Sequence, residues 1–116
     1  MPNIKAIRDR KMRVQKGRCY YCGLPMWSER MRISGKAAQG RYPIRLRCTA
    51  EHLRPRSAGG ADSADNIVAA HFFCNRARHQ GKTARCPEGH RAHVMGRMAH
   101  GRWMDARMRE IARSFR

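Results

Sequence analysis

Apolar residues are sparse at the start of the chain. Ile4, Ile7 and either Met12 or Val14 form a weak apolar face, which predicts a helix over 3–15, opened by Pro2 and Asn3 and stopped by Gly17. The stretch 24–43 holds Gly35, Gly40 and Pro43 and reads as a hairpin or loop. The period then changes. In YPIRLRCTAE, Tyr42, Ile44, Leu46 and Cys48 alternate with Pro43, Arg45, Arg47 and Thr49, so a half-buried strand is expected. Its arginines take the open face, and it breaks at Glu51 and His52. RPRSAGGADSAD, over 54–65, is a loop by composition, and NIVAA, over 66–70, is a second strand. HFFCNRARHQ, over 71–80, lacks Gly and Pro and predicts a helix that Gly81 stops. The stretch 84–101 shows no clear pattern. Beyond it, Met104, Met108, Ile111 and Phe115 recur at helical spacing, a stripe that reads as core packing. There is no internal repeat and no low-complexity tract.

With 116 residues, one domain spanning 1–116 is expected. Aromatic content is only 7 %, so the core is thin and a further source of stability is expected. Lys and Arg number 26 against eight Asp and Glu, a formal charge of +18. That imbalance points to nucleic acid as partner, because neutralised phosphates release counterions. Arg outnumbers Lys, and its fork matches phosphate oxygens. A GC-rich coding sequence would account for the Arg-to-Lys ratio but not for the net charge. No apolar run reaches membrane-spanning length, and the first residues lack the apolar segment of an export signal, so a cytoplasmic location without membrane contact is expected.

Without an export signal, five cysteines, two of them in CYYCG, favour metal over disulfides. Cys19 and Cys22 form a knuckle. His71 and Cys74 repeat the same spacing at the start of the later helix. Together they supply the four ligands of a structural zinc site. Cys48 falls on the buried face of the first strand and is expected as a packed thiol. Cys86, His90 and His93 form a weaker group, three ligands that would need one from outside.

A second constellation lies in EHLRPRSAGGADSADNIVAAHFFCNRARH, 51–79. Asn75 and His79, four apart, share a helix face. If the two strands pack as a hairpin on that helix, Glu51, Asn75 and His79 can clamp one divalent cation, with His52 free beside it as a base. Asn66, which carries both a donor and an acceptor, is placed to hold the backbone of the loop after His52.

On these residues the chain resembles the HNH endonuclease family, in the subtype stabilised by a zinc knuckle. His52, Asn66 and Asn75, followed by His79, fall at the family's signature positions, and CYYCG lies upstream. The resemblance covers about residues 3–82, with a core motif over about 19–82. It implies an α+β fold: a small ββα-metal core with a structural zinc, flanked by N- and C-terminal helices, the latter a basic extension over about 97–116. It implies His52 as general base, Asn66 as the holder of its loop, and Glu51 and Asn75 as metal ligands. His79 is often Lys in the family, and the later zinc pair is more often two cysteines.

The implied activity is metal-dependent hydrolysis of DNA, by nicking or double-strand cleavage, leaving 5′-phosphate and 3′-hydroxyl ends. An unperturbed imidazole titrates near pH 6.5, which suits proton removal from water. Zn²⁺ is the expected structural ion and Mg²⁺ or Mn²⁺ the catalytic one. Arg54, Arg56, Arg76 and Arg78 flank the site as candidate phosphate clamps. The expected state is monomer or homodimer, and the expected context is a phage, mobile element or restriction system. Two other readings fit the charge: a non-catalytic zinc-stabilised DNA-binding module, and an RNA-directed nuclease. The first leaves Glu51, His52, Asn66 and Asn75 without a task.

Overall fold

The structure is a computed structural model and describes residues 3–31 and 40–115. Helix α1 spans Ile4–Val14, and Asn3 caps it by accepting the Ala6 N–H at 3.1 Å. The knuckle follows. Cys19 N–H donates to the Leu24 carbonyl at 2.9 Å, and Gly23 turns the chain back with a φ of +78°. Strands β1 (Cys48–His52) and β2 (Ile67–His71) form an antiparallel pair, with Ala50 opposite Ala69 and His52 opposite Ile67. Helix α2 (Phe72–Arg78) starts immediately after β2. Helices α3 (Pro87–Ala99) and α4 (Ala106–Arg113) complete the chain.

β1 is shorter than its alternating pattern predicts. Residues 44–46 form a 3₁₀ turn instead, with Leu46 buried and Ile44 exposed. Pro43 has no N–H to give a ladder, and its carbonyl accepts the Trp27 indole N–H at 2.7 Å. Trp27 then pairs with this segment through its own backbone, donating to Leu46 and accepting from Cys48. Nor does the strand break at Glu51. Both Glu51 and His52 stay in the ladder, paired with Val68 and Ile67. The expected hairpin or loop over 24–43 lies partly outside the described residues; within them, 29–31 form one 3₁₀ turn.

All of β2 is buried, because α1 packs across both strands and α2 packs against them too. The outer edge of β2 is closed by the Gln15 side chain together with the Tyr20 N–H, which donates to the Ala69 carbonyl at 3.0 Å. The Gln15 amide donates to the Ala69 carbonyl at 2.8 Å and accepts the Ala69 N–H at 2.9 Å, mimicking a third strand.

The stretch without a clear pattern is α3. Cys86 caps it, Pro87 opens it, and Glu88 lies in its first turn. Gly89 and Gly96 had masked a helix whose buried face is His90 and Val94. The expected C-terminal extension over 97–116 is not one helix. The chain turns at Gly101 (φ +67°) and begins α4 at the Asp105 cap. Trp103, Ala112 and Phe115 are buried, so this end of the protein belongs to the core.

Candidate active site and metal centre

Cys19, Cys22, His71 and Cys74 are all buried, and their ligand atoms lie within 4.8 Å of one another. His71 Nδ1 is 3.2 Å from Cys22 Sγ and 3.8 Å from Cys74 Sγ. Ligands bound to one tetrahedral zinc sit about 3.3–3.8 Å apart, so the cluster has the size of a zinc site. The other ring nitrogen, Nε2, donates to the Pro25 carbonyl at 2.8 Å, which leaves Nδ1 as the ligating atom. The Tyr21 and His71 backbone N–H groups each point at Cys19 Sγ at 3.4 Å, and the Trp103 indole N–H points at Cys74 Sγ at 3.2 Å. His71 is the last residue of β2 rather than a residue of the helix.

The chemistry of the four groups also fits a dication. Burial opposes charge on Cys19, yet hydrogen bonds from Cys22, Cys74 and His71 hold its thiol well below the usual range. Burial, with the same sulfur neighbours, pushes Cys74 well up. Burial works against protonating His71, but the Cys19 sulfur holds the ring up to about 10. A bound Zn²⁺ would resolve this conflict, because it stabilises several thiolates at once. Among the described residues no other group of three or more Cys, His or acidic side chains converges in this way. The weaker group of Cys86, His90 and His93 does not converge on a second site. His90 is buried and its Nε2 donates to the Cys74 carbonyl at 2.9 Å, while Cys86 Sγ accepts the Gly89 N–H as a helix cap. Cys48 is a packed thiol, pushed up to about 12 by burial.

The second constellation lines one open cleft of ≈ 500 Å³. Glu51, His52, Asn75 and His79 contribute to it, together with Ile4, Ala50, Pro55, Arg56 and Ser57. Glu51 is 2 % exposed and fully partnered. Its Oε2 accepts from the Tyr21 hydroxyl at 2.9 Å and faces Arg78 at 3.2 Å. Its Oε1 lies 3.1 Å from His79 Nε2. Two ligands at right angles on one octahedral ion of Mg²⁺ size stand about 3 Å apart, so this spacing fits a shared ion as well as the direct hydrogen bond. The Asn75 amide N–H₂ donates to Thr49 Oγ1 at 3.2 Å and to the Ala50 carbonyl at 3.4 Å, which leaves its oxygen as the end available to a ligand. His52 Nε2 lies 2.7 Å from Asp62 Oδ1.

Asn66 holds the loop at both ends. Its Oδ1 accepts the Arg54 N–H at 2.8 Å, and its Nδ2 donates to the carbonyls of Arg54 and Ala61 at 3.0 and 2.9 Å. The two loop glycines have separate reasons. Gly59 adopts a φ of +86°, and a Cβ on Gly60 would fall 1.7 Å from the Arg54 carbonyl oxygen.

The four arginines divide. Arg78 is 3 % exposed and cannot clamp a phosphate: it ties together Glu51, the carbonyls of His52 and Leu53, and the Arg85 carbonyl. Its sequence neighbourhood is basic, but its position on the inner face of α2 sends it to the buried carboxylate. Arg54, Arg56 and Arg76 are exposed; Arg54 turns towards the Ala58 carbonyl, Arg56 pairs with Asp62, and Arg76 lies over the Phe72 ring.

Tyr21 and Asp62 thus join the site without having been expected there, and Arg78 joins it as the partner of Glu51 rather than as the expected phosphate clamp. Tyr21 sits inside the knuckle, where the cysteines hold all the apparent meaning, and Asp62 sits in a loop of no evident pattern. No helix among the described residues is long and apolar enough to cross a membrane. Compared with known proteins, the chain has no significant match among curated proteins or solved structures. Ile4 apart, the residues lining the Glu51–His79 cleft nevertheless lie, with both strands and α2, within residues 38–81, and over those residues the chain matches the family model of the HNH endonucleases.

Proposed function

We propose that this protein is a metal-dependent endonuclease that hydrolyses DNA phosphodiester bonds, working as one HNH unit over the whole chain. The observation that carries the reading is the meeting of Glu51, His52, Asn75 and His79 in one cleft inside the segment that matches the HNH endonucleases. His52 takes a proton from water, the water oxygen attacks phosphorus, and the bond to the 3′-oxygen breaks. A divalent cation bound by Glu51, Asn75 and His79 would supply charge stabilisation for that departing oxygen. Asn66 keeps the loop, and with it His52, in place. Glu51 is aimed from behind by Tyr21 and Arg78, so its Oε1 meets the cleft without rotamer search. Arg54, Arg56 and Arg76 are the side chains that would face neighbouring phosphates, with largely sequence-independent contacts. One such cleft among the described residues cuts one strand per encounter.

The test is single-turnover cleavage of labelled duplex DNA, single-stranded DNA and RNA over a Mg²⁺ and Mn²⁺ series. Wild type should cut DNA only with a divalent ion. His52→Ala should keep zinc, fold and DNA affinity yet lose roughly 10²- to 10⁴-fold in rate. Asn75→Ala should lose rate too, with partial recovery at high Mn²⁺; His52→Ala should not recover. Binding without cleavage under every condition would leave a zinc-stabilised binding module, and cleavage of RNA alone would move the substrate.

A further inference from the structure

The His52 ring has two nitrogens, and the structure gives one of them, Nε2, an acidic neighbour. Nε2 lies 2.7 Å from Asp62 Oδ1, with the His52 side chain 15 % exposed. Asp62 is itself held from the other side: Arg56 donates to its Oδ1 at 3.0 Å and to its Oδ2 at 3.3 Å. The cleft is lined by Pro55, Arg56 and Ser57 of the same loop, but Asp62 is not part of that lining. His52 itself lines the cleft, so its ring touches both the cleft and the Asp62 carboxylate. The loop that carries Asp62 is fixed nearby, because Asn66 bonds the Ala61 carbonyl and Gly60 packs against the Arg54 backbone.

We propose that Asp62 is the positioning residue of the base: it accepts a hydrogen bond from Nε2–H of His52, so that Nδ1 is left as the lone-pair nitrogen that takes the proton from water. An ionised carboxylate can only accept, so the nitrogen facing it carries the hydrogen. When water gives its proton to Nδ1 the ring becomes a cation, and the Asp62 charge at Nε2 stabilises it; no proton passes to Asp62. Hydrogen bonds from His52 and Arg56 hold the Asp62 carboxyl below its usual range, so it stays ionised. Arg56 then has a second task, to hold Asp62 in line rather than to bind phosphate alone.

This inference rests on His52 being the base, and its test separates the two. First, ¹H–¹⁵N spectra of the zinc-loaded protein at pH 8.5 should show an exchange-protected, downfield Nε2–H of His52 in wild type, lost in Asp62→Ala. Second, single-turnover cleavage at saturating DNA and Mn²⁺ should fall about 10- to 100-fold in Asp62→Ala, part of the usual worth of a general base, while DNA affinity does not weaken. Asp62→Asn has the same shape and keeps the loop packed. It should lose rate as well, since its amide can present a donor where Nε2–H needs an acceptor. Retention of the protected ring N–H in Asp62→Ala, or full-rate cleavage by both variants, would overturn the assignment. A change confined to DNA affinity would also overturn it, leaving Asp62 a surface charge. If wild type cuts no nucleic acid, the endonuclease reading fails, and the ring N–H alone decides whether Asp62 holds His52.

Discussion

At the scale of the residue, the informative side chains are those whose chemistry is at odds with their burial. Glu51 is a carboxylate at 2 % exposure, and Arg78 is the guanidinium that makes this tolerable. Removing one partner of a buried pair leaves an uncompensated charge, which costs about 3–5 kcal/mol. Arg78→Ala should therefore lower the urea midpoint sharply, in a protein whose DNA affinity per folded molecule is little changed. Arg76→Ala should do the reverse: normal stability, weaker binding and a shallower salt dependence. Denaturant titration beside a binding isotherm checks both. Equal behaviour of the two variants would mean that Arg78 reaches the phosphate.

At the scale of the element, this two-stranded sheet survives because its free edge is occupied. A lone hairpin is marginal in water, and an unpaired edge buried against helices would strand backbone donors. Gln15, one residue beyond α1, supplies both a donor and an acceptor to Ala69. Gln15→Ala should cost about 1–3 kcal/mol, the worth of a buried backbone group left unsatisfied. Hydrogen exchange at the Ala69 amide should speed up more than at the Ala50 or Val68 amides. Uniform acceleration across the sheet would show instead that α1 has detached. A Gln after a helix carries no sequence signal of this role, because its partner lies 54 residues away.

At the scale of the whole molecule, one buried cluster runs from Cys19 to Phe115 and takes in Cys19, Cys22 and Cys74 of the four-residue Cys/His group. His90 of α3 stacks edge-on against Tyr21 at 4.6 Å, and Trp103 covers Cys74. The C-terminal third thus closes over the Cys/His cluster, so it holds the fold as well as contributing charge. Chelating zinc should unfold the protein rather than only slow it, since structural zinc in small domains contributes on the order of 10 kcal/mol. Circular dichroism with and without a strong chelator, alongside elemental analysis, checks this. A zinc-free protein with an unchanged thermal midpoint would refute it. The net charge of +18 belongs to this scale as well. If six to ten phosphates are engaged, DNA affinity should fall roughly 10³- to 10⁵-fold between 50 and 200 mM salt; a flat titration would contradict a phosphate-led interface.

What the sequence determined by itself was local or combinatorial. Two x-x spacings of Cys and His specified a four-residue cluster of zinc-site size, an apolar five-residue run specified β2, and Glu51, His52, Asn66, Asn75 and His79 stood out because such residues fill cores poorly. Period alone erred at 42–47, where Trp27, distant in sequence, takes the backbone bonds of that segment and Pro43 withholds an N–H. It was silent over α3, where two glycines dilute the pattern and burial against Tyr21 and Trp103 supplies the stability. Only the tertiary structure decided which arginine is buried, which atom of His52 faces an acid, and which side chain closes the edge of β2. Those are questions of where a side chain ends after the chain has folded back on itself. Residues with the same local pattern, such as Arg76 and Arg78, part company because one points to solvent and the other to a buried carboxylate.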